Sequence, residues 1–108
     1  MFSRRVLRLI GELPNNRMGW IIGDQLGRSG TSTGANYRAA CRGRSLAEFI
    51  AKLGTVIEEA DESAYWMELI MEEEILDPKR VQPLWKEADE LVAIMTASRK
   101  TAEKRSSD

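Results

Sequence analysis

The apolar positions of this chain fall at steps of three and four almost from end to end, which predicts helices and leaves no stretch of strand-like alternation. Phe2, Val6, Leu9, Ile10 and Leu13 form the first such row, and Pro14 with Asn15 and Asn16 supplies a stop and a turn. A second helical segment opens near Arg17 and runs to about Arg42. The third is the clearest. Leu46, Ile50, Leu53, Ile57, Ala60, Ala64, Met67 and Met71 alternate steps of four and three, the seam of a coiled-coil-like helix. It is expected to reach about Leu76, on the order of 45 Å at 1.5 Å per residue. A second row, Phe49, Val56, Trp66 and Ile70, widens its buried face beyond what one neighbour covers. Asp77 before Pro78 reads as an N-cap followed by proline at the first helical position. The fourth seam is then Val81, Leu84, Ala88, Leu91, Met95, Ser98 and Ala102, with Trp85 and Val92 beside it. Residues from Thr101 to Asp108 are polar and expected to fray. Short turns make sequential helices antiparallel, so the pattern predicts an all-α, up-down four-helix bundle over residues 1–108, in one domain.

Gly19, Gly23, Gly27, Gly30 and Gly34 qualify the second helix without breaking it. Their spacing of 4, 4, 3 and 4 places them on one stripe. Each interior glycine costs about 1 kcal/mol relative to alanine, and close approach of a neighbouring backbone is the compensating gain. On this reading the second helix is the innermost one. A phosphate-cradling loop through Gly27, Gly30 and Gly34 is the rival, but the Lys and Ser or Thr of a P-loop are missing and no strand precedes it.

With 31 % charged and 43 % hydrophobic residues, the composition is that of a folded helical protein. No apolar run approaches the ~20 residues of a membrane span, and residues 1–13 are too short and charged for a signal peptide, so a cytoplasmic location is expected. Formal net charge is -1, but residues 1–54 hold nine Lys or Arg against three acids, and residues 55–108 hold seven against fourteen. Either basic and acidic helices neutralise each other side by side, or the basic part meets nucleic acid.

Candidate chemistry is sparse. The absence of histidine removes the commonest general base, the Ser-His and Cys-His pairs, and the usual zinc and di-iron bundle sites. Cys41, flanked by Arg38, Arg42 and Arg44, is expected to be a packed, inert thiol. Glu59 and Glu62 followed by Glu74 and Asp77 resemble the paired acidic motifs with which all-α nucleotide pyrophosphatases hold magnesium. Yet those pairs come from two facing helices, and here they lie about 18 Å apart along one. A charged, solvated or arginine-paired face is the plainer account. Arg28, Arg38, Arg42 and Arg44 are the candidate phosphate contacts, although Arg28 and Arg38 are also placed to pair with Glu58, Glu59 or Glu62. Trp20, Trp66 and Trp85 lie on or near apolar faces and are expected in the core, not as base-stacking platforms.

The run Gln25-Leu26-x-Arg28-Ser29-Gly30-Thr31-Ser32-x-Gly34-Ala35-Asn36-Tyr37-Arg38, with Phe49-Ile50-x-Lys52-Leu53 and Glu58-Glu59-Ala60-Asp61-Glu62-x-x-Tyr65-Trp66, resembles the bacterial four-helix-bundle proteins. That family includes proteins encoded by intervening sequences of 23S ribosomal RNA genes, and the likeness runs from Leu13 to about Ala102. It marks Gln25, Arg28, Ser29, Ser32, Asn36, Glu58, Glu62 and Trp66 as motif positions. The resemblance implies a homopentamer, with relatives serving as accessory proteins of diversity-generating retroelements that engage RNA or DNA and a reverse transcriptase. It implies no enzyme activity and no cofactor or metal. Two positions depart from the family pattern: Arg38-Ala39-Ala40 replaces Arg-Glu-Ala, and Thr33 stands where a branched apolar residue is usual. A purely structural interaction module, without nucleic acid, remains the blander alternative.

Overall fold

The computed structural model describes residues 1–107. Four helices follow one another: α1 (Phe2–Ile10), α2 (Arg17–Cys41), α3 (Leu46–Glu72) and α4 (Pro78–Ser107). The starts of α2, α3 and α4 follow from local chemistry. The Asn16 side chain accepts from the Gly19 amide at 2.9 Å, Ser45 Oγ accepts from the Glu48 amide at 3.1 Å, and Asp77 Oδ1 accepts from the Lys79 amide at 3.0 Å, each satisfying a donor that a helix start leaves free.

The helices stand at the corners of a square. α3 packs extensively on α2 and α4, α1 packs on α2 and more lightly on α4, and the backbones of the diagonal pairs, α1 with α3 and α2 with α4, stay apart. The resulting rod measures 51 × 20 × 19 Å. Val6, Leu9, Leu26, Met67, Ile70, Val81, Leu84 and Ala88 fill its centre.

Four expectations change. α2 occupies one corner and is not innermost; its glycine stripe serves α1 and the turn that follows it. A Cβ on Gly30 would stand 2.6 Å from Val6 Cγ1, and Ser3 Oγ donates to the Gly30 carbonyl at 2.9 Å, so the glycines let a short helix sit almost on the α2 backbone. The deepest row of α3 is Leu53, Val56, Ala60, Ser63, Met67 and Ile70, displaced from the expected seam, and Leu46 is exposed. α3 also ends at Glu72, four residues early. Glu74 adopts φ 51°, the Ile75 amide bonds to the Ile70 carbonyl at 2.9 Å, and the Glu74 amide bonds to that of Met71 at 3.1 Å. This is a Schellman closure with glutamate where glycine is usual, and it turns Ile75 and Leu76 back onto the core. At the other end, α4 continues through the segment expected to fray. Ala102 is buried, and Arg99 pairs with Glu103 at 2.9 Å one turn along the helix. Asp108 lies outside the described residues.

α1 is much shorter than its three neighbours and covers α2 only as far as Gly34. Beyond it, α2 and α4 flank an open groove of about 850 Å³, lined by Phe2, Thr33, Tyr37, Val56, Leu91 and Met95.

Candidate nucleic-acid interface

The four arginines singled out by sequence separate into two groups. Arg28 bridges to α3: its guanidinium donates to Glu59 at 3.1 Å and also to Glu62. The Glu62 hydrogen bond, partly offset by desolvation, raises the pKa of Arg28 further above its ordinary value. Arg28 is therefore committed to the bundle. Arg38, Arg42 and Arg44 are exposed and make no ion pair among the described residues. Glu48, the acid nearest the α2–α3 turn, turns its carboxylate to the Arg44 backbone amide at 2.9 Å.

Antiparallel packing adds a second set of cations that sequence reasoning did not connect with the first. The end of α2, the start of α3 and the end of α4 meet at one pole of the rod. Residues 35–56 and 95–107 carry Arg38, Arg42, Arg44, Lys52, Arg99, Lys100, Lys104 and Arg105 against only Glu48 and Glu103. Everything else described carries eight Lys or Arg against fourteen acids. Gly54 contributes to this pole: a Cβ there would lie 3.3 Å from Arg99 Nη1, so its absence lets the guanidinium lie across α3. Four of the nine cations of the first half of the sequence thus meet four of the seven of the second half at one end of the molecule.

Of the remaining motif positions, Ser29 joins α2 to α3, while Ser32 and Asn36 bond within α2 and Glu62 and Trp66 within α3. Ser63 donates to Ser29 Oγ at 2.9 Å, with both hydroxyls buried, and Asn36 Nδ2 donates to the Ser32 carbonyl at 2.9 Å. Trp66 Nε1 donates to Glu62 at 3.3 Å, which places a single carboxyl group between Arg28 and the indole. Gln25 is half-buried, and Glu58 is exposed without an ion-pair partner among the described residues. Ser63 escaped the sequence reading because a hydroxyl interrupts an apolar row; its spacing from Ala60 and Met67 was the available signal.

Two side chains differ from expectation. Trp20 is 59 % exposed, donating to Asn15 Oδ1 at 2.8 Å, and does not pack in the core. Cys41 is exposed because α1 stops short of the end of α2. Tyr37 lies one turn before it, and interaction with the thiol, followed by desolvation, raises the phenol pKa above its ordinary value. The acidic quartet does not converge. Glu59 and Glu62 are bound by Arg28 in mid-bundle, whereas Glu74 and Asp77 flank the α3–α4 turn at the opposite pole. Among the described residues no three His, Cys, Asp or Glu side chains gather as a metal site would require. Nor is any described helix long and apolar enough to cross a membrane.

Fold and seam together define an all-α, four-helix bundle closed by a polar zip between its second and third helices. The chain belongs to the 23S rRNA-intervening sequence protein family, whose model matches residues 1–97. It is similar to a crystal structure of a protein of unknown function from the S23 ribosomal protein family of Bacteroides thetaiotaomicron VPI-5482. That likeness has a TM-score of 0.85 and 32 % identity, and covers 92 % of each chain. No curated protein matches the chain significantly.

Proposed function

We propose that this chain is a non-enzymatic assembly protein that self-associates, as a homopentamer on the family resemblance, and presents its basic pole to RNA or DNA, alone or with a nucleic-acid enzyme such as a reverse transcriptase. The observation that carries the reading is the gathering of eight cations from three helices and the α2–α3 turn at one pole, with Arg38, Arg42 and Arg44 left without ion-pair partners among the described residues. Cations held for folding alone are more economically placed beside acids, as Arg5 is beside Glu87 and Arg80 beside Glu12. A pole of one sign attracts phosphate and releases its counterions. Self-association multiplies the cations without any new residue.

Two measurements test this. Fluorescence titrations with labelled RNA and DNA at low and high salt are expected to show binding that salt abolishes; no binding at low salt excludes the phosphate-contacting role. Light scattering is expected to report an assembly at micromolar concentration, and a stable monomer ends that part of the proposal. A nucleoside triphosphate panel with magnesium is expected to remain intact.

A further inference from the structure

We infer that the bundle assembles side by side, the α1 edge of one copy docking on the α3 edge of the next, with Arg4 and Arg8 facing Glu58 and Asp61 and Leu7 packing on Tyr65. The inference rests on the self-association proposed above and names the surface that performs it.

α1 and α3 occupy diagonal corners, so their outward faces look in opposite directions. Each face carries one large exposed apolar side chain, Leu7 on α1 and Tyr65 on α3, both 53 % exposed. Each also carries charge of a single sign. Arg4 and Arg8 on one side, and Glu58 and Asp61 on the other, are exposed and make no ion pair among the described residues. The neighbouring Arg5, by contrast, turns inward to Glu87 of α4. An apolar knob between unspent charges is a surface suited to a partner of the opposite sign, and this chain supplies that partner itself.

The two faces also lie at the same level of the rod. Val6 sits against Gly30, and the adjacent Ser29 is bonded to Ser63, so residues 4–8 of α1 are abreast of about residues 61–65 of α3, with Glu58 one helical turn below Asp61 and within reach of a long arginine side chain. Two copies standing parallel, without a shift along the long axis, bring arginine to carboxylate. A two-fold contact is disfavoured, because α1 against α1 opposes cations and α3 against α3 opposes anions. The contact is therefore heterologous, and with no axial shift it closes into a ring when the rotation allows. Parallel copies direct all basic poles to one side.

The test uses two double variants of the full chain, Arg4→Glu with Arg8→Glu, and Glu58→Lys with Asp61→Lys, read by sedimentation velocity. All four side chains are exposed, and circular dichroism at 222 nm verifies that the helices remain. Each double variant alone is expected to self-associate at least about tenfold more weakly than the parent chain. The chain carrying all four substitutions is expected to assemble again, since the charges are exchanged and not lost. Assembly of both double variants at parental strength overturns this interface while leaving self-association intact. Failure of the fourfold variant to reassemble shows that the doubles acted through net charge, and likewise overturns it. A monomeric parent chain instead removes the proposal on which the inference rests.

Discussion

Gly30 and Gly27 share a stripe but not a constraint, and alanine substitution separates them. At Gly30 the new methyl meets the Cγ1, Cγ2 and Cβ atoms of Val6, at 2.6, 2.9 and 3.0 Å. Val6 is fully buried and β-branched, so it cannot swing away. Overpacking of this kind costs about 1–3 kcal/mol against a helix-propensity gain of about 1. Gly30→Ala is therefore expected to lower stability to urea by up to about 2 kcal/mol. At Gly27 the only close atom is Ile10 Cδ1, 3.2 Å away at the end of a flexible chain. Gly27→Ala is expected to be neutral or stabilising by up to about 1 kcal/mol. Equal losses from the two variants would contradict the α1 placement. The buried hydroxyls behave as a pair. Ser29→Ala and Ser63→Ala are each expected to cost about 1 kcal/mol, and the double variant about 0.5–1 kcal/mol less than their sum, because the second deletion removes a hydroxyl that has already lost its partner. Strict additivity in a double-mutant cycle would show that each hydroxyl is satisfied within its own helix, Ser29 by the Leu26 carbonyl and Ser63 by that of Glu59.

The α3–α4 turn stores strain in Glu74, whose left-handed backbone opposes its Cβ. Glu74→Gly is expected to raise the thermal midpoint, corresponding to about 0.5–1 kcal/mol, since the relief outweighs the added freedom of the unfolded chain. A fall would mean that the Glu74 side chain contributes more than its backbone costs. The turn also shows where the sequence was opaque. Glu72-Glu73-Glu74 are good helix formers, so nothing local announced an end, and only the pull of Ile75 and Leu76 toward the core makes one. The other starts were legible because proline and small polar residues mark them: Pro14-Asn15-Asn16, Asp77-Pro78, and, unremarked in the sequence reading, Ser45 with Glu48. Periodicity identified the apolar face of every helix but not its partner. Thus the glycine stripe was correctly read as a site of close approach and assigned to the wrong neighbourhood. The brevity of α1 leaves Tyr37 and Cys41 uncovered, and spacing within α2 alone carries no signal of that.

Charge is the property that folding rearranges most. Along the chain it divides into a basic first half and an acidic second half, but antiparallel packing returns the last turns of α4 to the end of α2 and gathers half of the cations at one pole. Sequence reasoning found Arg38, Arg42 and Arg44 and missed Arg99, Lys100, Lys104 and Arg105, because residues some sixty positions apart become neighbours only through topology. Arg28 supplies the internal comparison. It has the same side chain as the three polar arginines, yet the ion pairs to Glu59 and Glu62 tie it to the bundle. Substituting all three of Arg38, Arg42 and Arg44 by alanine is expected to lower the slope of log K against log salt for duplex DNA by about 2–3, at roughly 0.9 per lost phosphate contact. Their removal leaves no acid unpaired inside the fold, so the thermal midpoint is expected to hold. Arg28→Ala reverses the pattern, with an unchanged salt slope and a lower midpoint, since Glu59 and Glu62 are then left facing each other without their shared cation. If Arg28→Ala alters the slope as much per residue as the triple variant, the poles do not organise binding, and the contact surface must include the side of α2 that faces α3.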